Sequence, residues 1–398
     1  MRVLVIGGGI AGSATALALH KAGLDVDVYE AHPDAAEDLG AFLTLASNGM
    51  RAVAELDAST AVTALGFPLT SMQVLDGAGT ELALVPLGEA DDPLLRYRCL
   101  RRGDLGSGLQ SEAVRRGIAV HHGARLTTVQ EDTVGVTAHF ADGSTARGDL
   151  LIGADGLNSS VRGAIGPAVG PLYAGQRVFY GYTDAASPPA GEARITMIRG
   201  SAAAFGYAVS PGGETYWFAR VSGEPLPAEE IAHGTPAEWR ELLLPSLRED
   251  ATPAADIVAA TADDVLVTNA TEIPIGTPWR SGRILLIGDA AHAASPATGQ
   301  GASMALEDAV ILARCLRDAP DTASALALHE ELRRPRVEHN ITVSGTISRG
   351  APTPSPVRRG APPSRPGDDE LVRLLAWESD VWAAARGGEQ EQQEKAHP

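Results

Sequence analysis

The first thirty residues constrain this chain more than any other stretch. Arg2-Val3-Leu4-Val5-Ile6 is a short, unbroken apolar run of the kind that forms a buried parallel strand. It leads directly into Gly7-Gly8-Gly9-Ile10-Ala11-Gly12, which contains G-x-G-x-x-G at Gly7, Gly9 and Gly12. A helix-forming stretch from Ser13 to Lys21 stops at Gly23, and Asp25 to Tyr29 reads as a second strand with Glu30 at its carboxyl end. Strand, glycine turn, helix, strand and acid together have the length of a dinucleotide-binding βαβ unit. In such a unit Gly7 allows the tight turn, Gly9 lets a pyrophosphate approach the backbone, and Gly12 lets helix and strand pack closely. The helix opens with unpaired amides, those of Ile10 and Ala11 among them, and with the positive end of its dipole toward the phosphates. Glu30 lies eighteen residues past Gly12, where a carboxylate can accept a ribose hydroxyl.

Composition narrows the partners. At 398 residues and 44% apolar, the chain can bury one large core plus an insert, or two domains. A net charge of −18 argues against nucleic acid and anionic membranes, which reward basic patches. Cys99 and Cys315 make neither a disulfide framework nor a metal site. No apolar run is long enough to span a membrane, and three glycines interrupt the apolar N-terminus where a leader would need its core. A cytoplasmic protein, monomer or homodimer, is expected.

Further along, Gly40 to Val53 mixes an extended stretch with a helix opening at Ser47-Asn48. Strands joined by an Asp76-Gly77 turn are expected over Leu69 to Pro86, and a helix from Arg101-Arg102 to Arg116, closed by Gly117. Strand signals follow at Ile118–His122, Arg125–Phe140 and Ser144–Ile152. From about 170 to 275 short strands separated by Gly/Pro turns have antiparallel texture, followed by a helix near Pro236–Leu247. Arg283–Ile287 returns to a buried apolar strand ending in Gly288-Asp289. Gly299-Gln300-Gly301 then opens a long helix to about Leu316, with another from Ala323 toward Ser348. Residues 351–367 read as a Pro-rich linker, and Glu370–Ala385 as a short terminal helix that either packs on the body or swaps to a partner. The fold class is α/β: a Rossmann-like dinucleotide-binding domain on a mostly parallel sheet, an inserted antiparallel-sheet domain, and C-terminal helices.

Three separated glycine-acid motifs need one explanation. With Gly7, Gly9, Gly12 and Glu30, with Arg102 in the R-x-x-L stretch Arg102–Leu105, with Asp155 in GADGLNSSVR, and with Asp289 in GDAAHAASPATGQGASMALED, the chain resembles the class A single-component FAD-dependent monooxygenases, the para-hydroxybenzoate hydroxylase-like group. The long helix carrying Arg334-Pro335-Arg336 is similar as well, so the resemblance spans residues 1 to about 345. It implies bound FAD and transient NADPH or NADH. It also implies that Asp289 contacts the ribityl chain, Arg102 lies near the pyrophosphate, and Asp155 is linked to both FAD and NAD(P)H, with Arg162 in support. Pro296 resembles the proline beside the flavin ring. Gly299, Gln300 and Gly301 open a helix whose free amides and dipole can face the flavin's pyrimidine edge and stabilise its reduced, anionic form.

The activity implied is hydroxylation of an aromatic or polycyclic small molecule by O₂ through a flavin C4a-hydroperoxide, in a secondary-metabolic setting. No catalytic acid or base can be named from the sequence, and His292 reads as a structural hydrogen-bonder. The expected division is 1–70, 96–170 and 280–348 for FAD, 71–95 and 171–279 for substrate, and 349–398 for linker and tail. Tyr180, Phe205, Tyr207, Trp217 and Pro296 are the candidate pocket residues, Phe205 and Tyr207 sharing one face by strand alternation. No cluster of cations is visible among them, which favours a neutral substrate. A flavin-dependent epoxidase, dehydrogenase or oxidase of a non-aromatic compound stays open. A halogenase does not: W-x-W-x-I-P is missing, and the lysines, Lys21 and Lys395, fall in the first helix and the tail.

Overall fold

The computed structural model describes residues 1–34, 41–166, 169–350 and 368–386. The linker expected at 351–367 and the chain beyond 386 lie outside them.

The βαβ unit forms as its apolar runs require. Arg2–Ile6 pairs in parallel with Asp25–Tyr29 on one side and with Leu150–Gly153 on the other. Ala119–His121 and Ile284–Leu286 extend this sheet in parallel, and the two-residue strand Arg280–Ser281 closes its edge antiparallel, six strands in all. The helix Ile10–Lys21 packs on the sheet, with Gly12 through Leu19 buried. Behind it lie two longer helices, the core helix Gly301–Asp318 and the long helix Thr322–Ser348.

The strand expected over Ser144–Ile152 is two strands in two sheets. Thr145–Gly148 pairs with Val136–Phe140 in a three-stranded antiparallel sheet, and Leu150–Gly153 enters the parallel one. Asp149 stands at the crossing, where its backbone and carboxylate hold the backbone of Arg2 (2.8 and 2.7 Å). The sequence conceals this switch because the half-exposed first piece, Thr145–Gly148, and the fully buried second, Leu150–Gly153, are both strand-like and only one residue apart.

A seven-stranded sheet carries the antiparallel texture. Its strands, in spatial order, are Val265–Glu272, Leu172–Thr183, Thr215–Ser222, Ala203–Val209, Arg194–Arg199, Ser71–Asp76 and Glu81–Pro86. One pair, Arg194–Arg199 with Ser71–Asp76, is parallel, because the Asp76–Glu81 hairpin joins the sheet from the distant N-terminal part of the chain.

The two faces of this sheet are covered differently. On one, Phe179, Phe205, Tyr207 and Trp217 pack with Trp239, Leu243 and Ile257 of the helices that follow. On the other, Tyr182, Tyr216 and Ile195, flanked by half-buried Tyr180, Phe218 and Met197, meet Phe42, Phe67 and Cys99 of a small sheet formed by Phe42–Leu45, Phe67–Leu69 and Tyr97–Arg101.

The terminal helix Asp368–Leu375 packs on the body of its own chain. Arg314, on the core helix and 1% exposed, donates to the carbonyls of Leu374 and Ser379, and Arg317 donates to that of Trp377 (2.7 Å).

Behind the parallel sheet, the core helix and long helix share a buried ion cluster. Arg333 meets Glu307 and Asp308 at 2.6 and 2.7 Å, all three side chains with no solvent exposure. Asp308 also accepts from the Gly288 amide (3.0 Å) and pairs with His292 (2.6 Å). Burial opposes ionisation of Asp308, but His292 and Arg333 outweigh it and hold the carboxyl below its usual range.

His329 lies in the same interior, and burial pushes its pKa down to about 4, Arg333 and His292 adding to the effect and Asp308 opposing it. An imidazole held neutral in the folded state makes the unfolded state bind more protons between the two pKa values. Stability therefore falls as pH drops from 6.5 to about 4 and levels below that. The expected contribution is on the order of 3 kcal/mol. In denaturant titrations across this window, His329→Leu should flatten the slope; an unchanged slope contradicts the assignment.

Candidate active site

All the glycine-acid motifs lie at the carboxyl ends of the parallel strands, where open α/β sheets bind ligands. The first turn is the tightest. A Cβ on Gly7 would stand 2.4 Å from the Ala154 carbonyl oxygen, and one on Gly12 would stand 1.8 Å from the Gly7 oxygen. At Gly9 the direction a Cβ would take is open, with no atom within 4 Å. No side chain caps the helix at Gly9, so the amides of Ile10, Ala11 and Gly12 have no partner within the helix. A crowded turn with an open middle and free amides fits a pyrophosphate.

Glu30 stands beside this turn. Its carboxylate accepts from the Gly8 amide (2.6 Å) and the His32 amide (2.7 Å), leaving further lone pairs for hydroxyl donors. Gln110, which sequence reading missed, donates to the Gly8 carbonyl (3.2 Å) from the helix Arg102–Arg115. Arg102 opens that helix, and its guanidinium is 3.9 Å from Asp289, both side chains largely exposed.

Asp155 is engaged locally. One oxygen accepts from the Ser159 hydroxyl (2.5 Å), the other from the amides of Ser160 and Val161 (2.7 and 3.1 Å). It braces the start of the short helix Ser160–Ile165, whose Arg162 reaches the Ala290 carbonyl (2.9 Å) and so ties this motif to Gly288-Asp289.

Pro296 and Gly299 are exposed in a turn that precedes the core helix, and the helix start at Gln300 has no side-chain cap. A Cβ on Gly301 would meet nothing within 4 Å, so open space faces this helix end too. The turn is tethered to the long helix: Thr298 donates to Asn340 (2.9 Å) and hydrogen-bonds Ser344 (2.7 Å), and Ser295 bonds Ser348. From the other side Asn48 donates to Gln300 (3.0 Å) and to buried Glu307 (2.6 Å). Asn48 carries no site motif, and Glu307, although it falls within the GDAAHAASPATGQGASMALED stretch, shows its role only through their convergence in space.

Among the pocket candidates, Tyr180 faces this region. It is half-buried, its ring stands edge-on to Phe42 (6.3 Å), and it lies in the electrostatic reach of Arg220 and Arg102. Burial pushes its phenol up to about 12 against those two cations, so it is a neutral donor at pH 7. Phe205, Tyr207 and Trp217 do not belong with it. All three are at most 1% exposed on the opposite face, where Tyr207 donates to the Pro189 carbonyl (2.6 Å) and Trp217 to Thr261 (2.9 Å). Strand alternation paired Phe205 with Tyr207 correctly but could not say which face is inward. Even-numbered Tyr216, Phe218 and Arg220 have the orientation expected of the odd-numbered ones.

A family model described as an FAD-binding domain matches residues 1–343. The chain belongs to the class A FAD-dependent monooxygenases. It is 32% identical to the aurachin C monooxygenase/isomerase of Stigmatella aurantiaca, over 87% of this chain and 88% of that one. It is 34% identical to an FAD-dependent urate hydroxylase of Klebsiella pneumoniae, over 85% and 87%. The solved structure of Klebsiella pneumoniae HpxO with FAD and uric acid superposes with a TM-score of 0.79 at 28% identity, covering 97% of this chain and 95% of that one. This monooxygenase therefore binds FAD, draws electrons from NADPH or NADH, and acts on a small molecule. No helix among the described residues is long and apolar enough to cross a membrane, and no group of metal-ligating side chains is found among them.

Proposed function

We propose that this monooxygenase hydroxylates an aromatic ring lodged between the Tyr180 face of the seven-stranded sheet and the Pro296–Gly301 turn. The observation that carries the reading is the half-buried aromatic pair Tyr180 and Phe218, backed by buried Phe42, on a face whose Arg220 reaches the turn before an uncapped helix start. Bound FAD supplies the redox chemistry, taking reducing equivalents from NADPH or NADH and activating O₂.

In this reading the turn Gly7–Gly12, with the free amides of Ile10 and Ala11, holds the pyrophosphate, and Glu30 accepts from the ribose. Asp289 and Arg102 hold the chain between phosphate and ring. Asp155 acts through the cap it provides, as a positioning residue. The amides opening the core helix stabilise negative charge on the flavin's pyrimidine edge, Gln300 being fixed by Asn48 and Pro296 bordering the ring. The apolar wall excludes water, and the Tyr180 phenol donates a hydrogen bond to the substrate. The division of the chain into an FAD part (1–70, 96–170, 280–348), a substrate part (71–95, 171–279) and a tail (349–398) follows from the same reading. Cytoplasm is the proposed compartment and monomer or homodimer the proposed state, with neither nucleic acid nor membrane taking part.

Tyr180→Phe tests the face. With any aromatic compound that accelerates NAD(P)H oxidation, it should lower product formed per NAD(P)H consumed by roughly tenfold, the worth of one hydrogen bond. Tyr207→Phe, in the opposite core, should leave that ratio unchanged. The reverse pattern would refute the assignment of faces.

A further inference from the structure

Glu307 reaches beyond the ion cluster that neutralises it. Its side chain has no solvent exposure, and the long helix pairs it with Arg333 at 2.6 Å and Arg336 at 3.0 Å. Burial opposes its ionisation, but these arginines outweigh burial and hold the carboxyl below its usual range. An ionised carboxylate accepts hydrogen bonds and donates none. Asn48, on the helix Ser47–Glu55, lies against it, and Asn48 Nδ2 donates to Glu307 Oε1 at 2.6 Å. The other proton of Nδ2 goes to Gln300 Oε1 at 3.0 Å. Gln300 precedes the core helix and is 7% exposed. Its own Nε2 has no hydrogen-bond partner among the described residues, yet is not sealed in the interior.

A side-chain amide can be turned end for end, exchanging donor for acceptor in nearly the same volume, so something must fix which end faces which way. Here the carboxylate fixes it. An Asn48 carbonyl against Glu307 would oppose two acceptors, so Asn48 meets Glu307 through its amino group. Because that amino group is shared, Gln300 turns its carbonyl toward Asn48 and keeps its amino group free. We propose that Glu307, acting through Asn48, is a positioning residue that keeps Gln300 a hydrogen-bond donor to the flavin's pyrimidine edge and so raises the potential at which the flavin is reduced. Negative charge gathers at that edge on reduction; a donor there stabilises it and an acceptor repels it. The inference rests on the reading of the Pro296–Gly301 turn as the neighbour of the flavin ring.

The midpoint potential of FAD-loaded variants tests this, with urea unfolding to follow the fold. Gln300→Met removes the donor. It should weaken binding of reduced relative to oxidised flavin about tenfold, which for a two-electron couple lowers the potential by about 30 mV. Asn48→Asp combined with Glu307→Gln exchanges carboxylate and amide, conserving net charge and leaving every contact a donor and an acceptor. The carboxylate now beside Gln300 only accepts, so Gln300 must turn its amino group inward and present its carbonyl to the flavin. The potential should fall at least as far as in Gln300→Met. Asn48→Asp alone imposes the same reversal without altering Glu307, and should lower the potential likewise while losing stability, since two carboxylates then face each other. Adding the exchange to Gln300→Met should lower the potential no further.

A wild-type potential in the exchanged protein would make Asn48 only a brace, and a further fall in the Gln300→Met background would trace the effect to the moved charge. Either result overturns the proposal. An unchanged potential in Gln300→Met itself would remove the placement of the turn beside the ring, and the proposal with it.

Discussion

Gly12→Val should abolish FAD retention, leaving the purified variant colourless. Even the first atom of the new side chain would lie 1.8 Å from the Gly7 carbonyl oxygen, well inside van der Waals contact. That oxygen belongs to the backbone, so no flexible side chain can swing away to make room. Gly7 is itself held by its amide on the Tyr29 carbonyl (2.8 Å) and crowded by Ala154, so the turn cannot retreat toward the sheet. The helix Ile10–Lys21 must therefore shift outward, withdrawing the amides of Ile10 and Ala11 from the phosphate position. Absorbance of the bound flavin relative to protein checks this, with circular dichroism to establish that the variant is folded. Gly9→Ala is the informative neighbour. Its Cβ would meet no protein atom within 4 Å, so the apoprotein should keep wild-type stability while FAD binding weakens. Wild-type flavin content in Gly12→Val would show that the turn is not the phosphate site.

The second large effect concerns stability. Arg333→Met should cost about 3–5 kcal/mol, because it leaves the buried carboxylates of Glu307 and Asp308 without their shared cation. Arg336 still reaches Glu307 at 3.0 Å, and His292 still reaches Asp308, so part of the cluster survives. Equilibrium unfolding in urea measures the loss. Asp132→Asn, which breaks a solvent-exposed pair with Arg147, should cost far less, because water screens that pair. Equal effects of the two substitutions would mean that the interior pair is compensated in a way the geometry does not reveal. The sign with pH is fixed. The carboxyls of Asp308 and Glu307 are both depressed in the fold, so their contribution is present above the usual carboxylate range and is lost as pH falls below it.

These two predictions draw on different kinds of information in the chain. Gly7, Gly9 and Gly12 were readable because a tight turn against a phosphate imposes local rules of spacing, and Glu30 follows at a fixed distance along the same unit. The Asp289 and Gly299–Gly301 motifs were readable for the same reason. Arg333 and Asn48 were not, and Glu307 was readable only as part of the GDAAHAASPATGQGASMALED stretch, since their partners lie 25 residues or more away and neither periodicity nor a turn encodes the meeting. The pocket face failed differently. Thr215–Ser222 is apolar or aromatic at Tyr216, Trp217 and Phe218 in succession, so both faces of the strand look buried, and both are. What covers each face depends on which element arrives: helices on the side of Trp217, and on that of Phe218 the small sheet carrying Phe42. Strand splitting at Asp149 escaped notice because two strand-like pieces separated by a single residue give no sign that the chain passes from one sheet to another.

The most direct test supplies ¹⁸O₂ together with NADPH or NADH and an aromatic compound that stimulates cofactor oxidation, with the product analysed by mass spectrometry. The enzyme should place one labelled oxygen on the ring, and Gly12→Val should form no product. Label arriving from H₂¹⁸O instead, or oxidation of the compound without any oxygen gained, would contradict monooxygenation at this site.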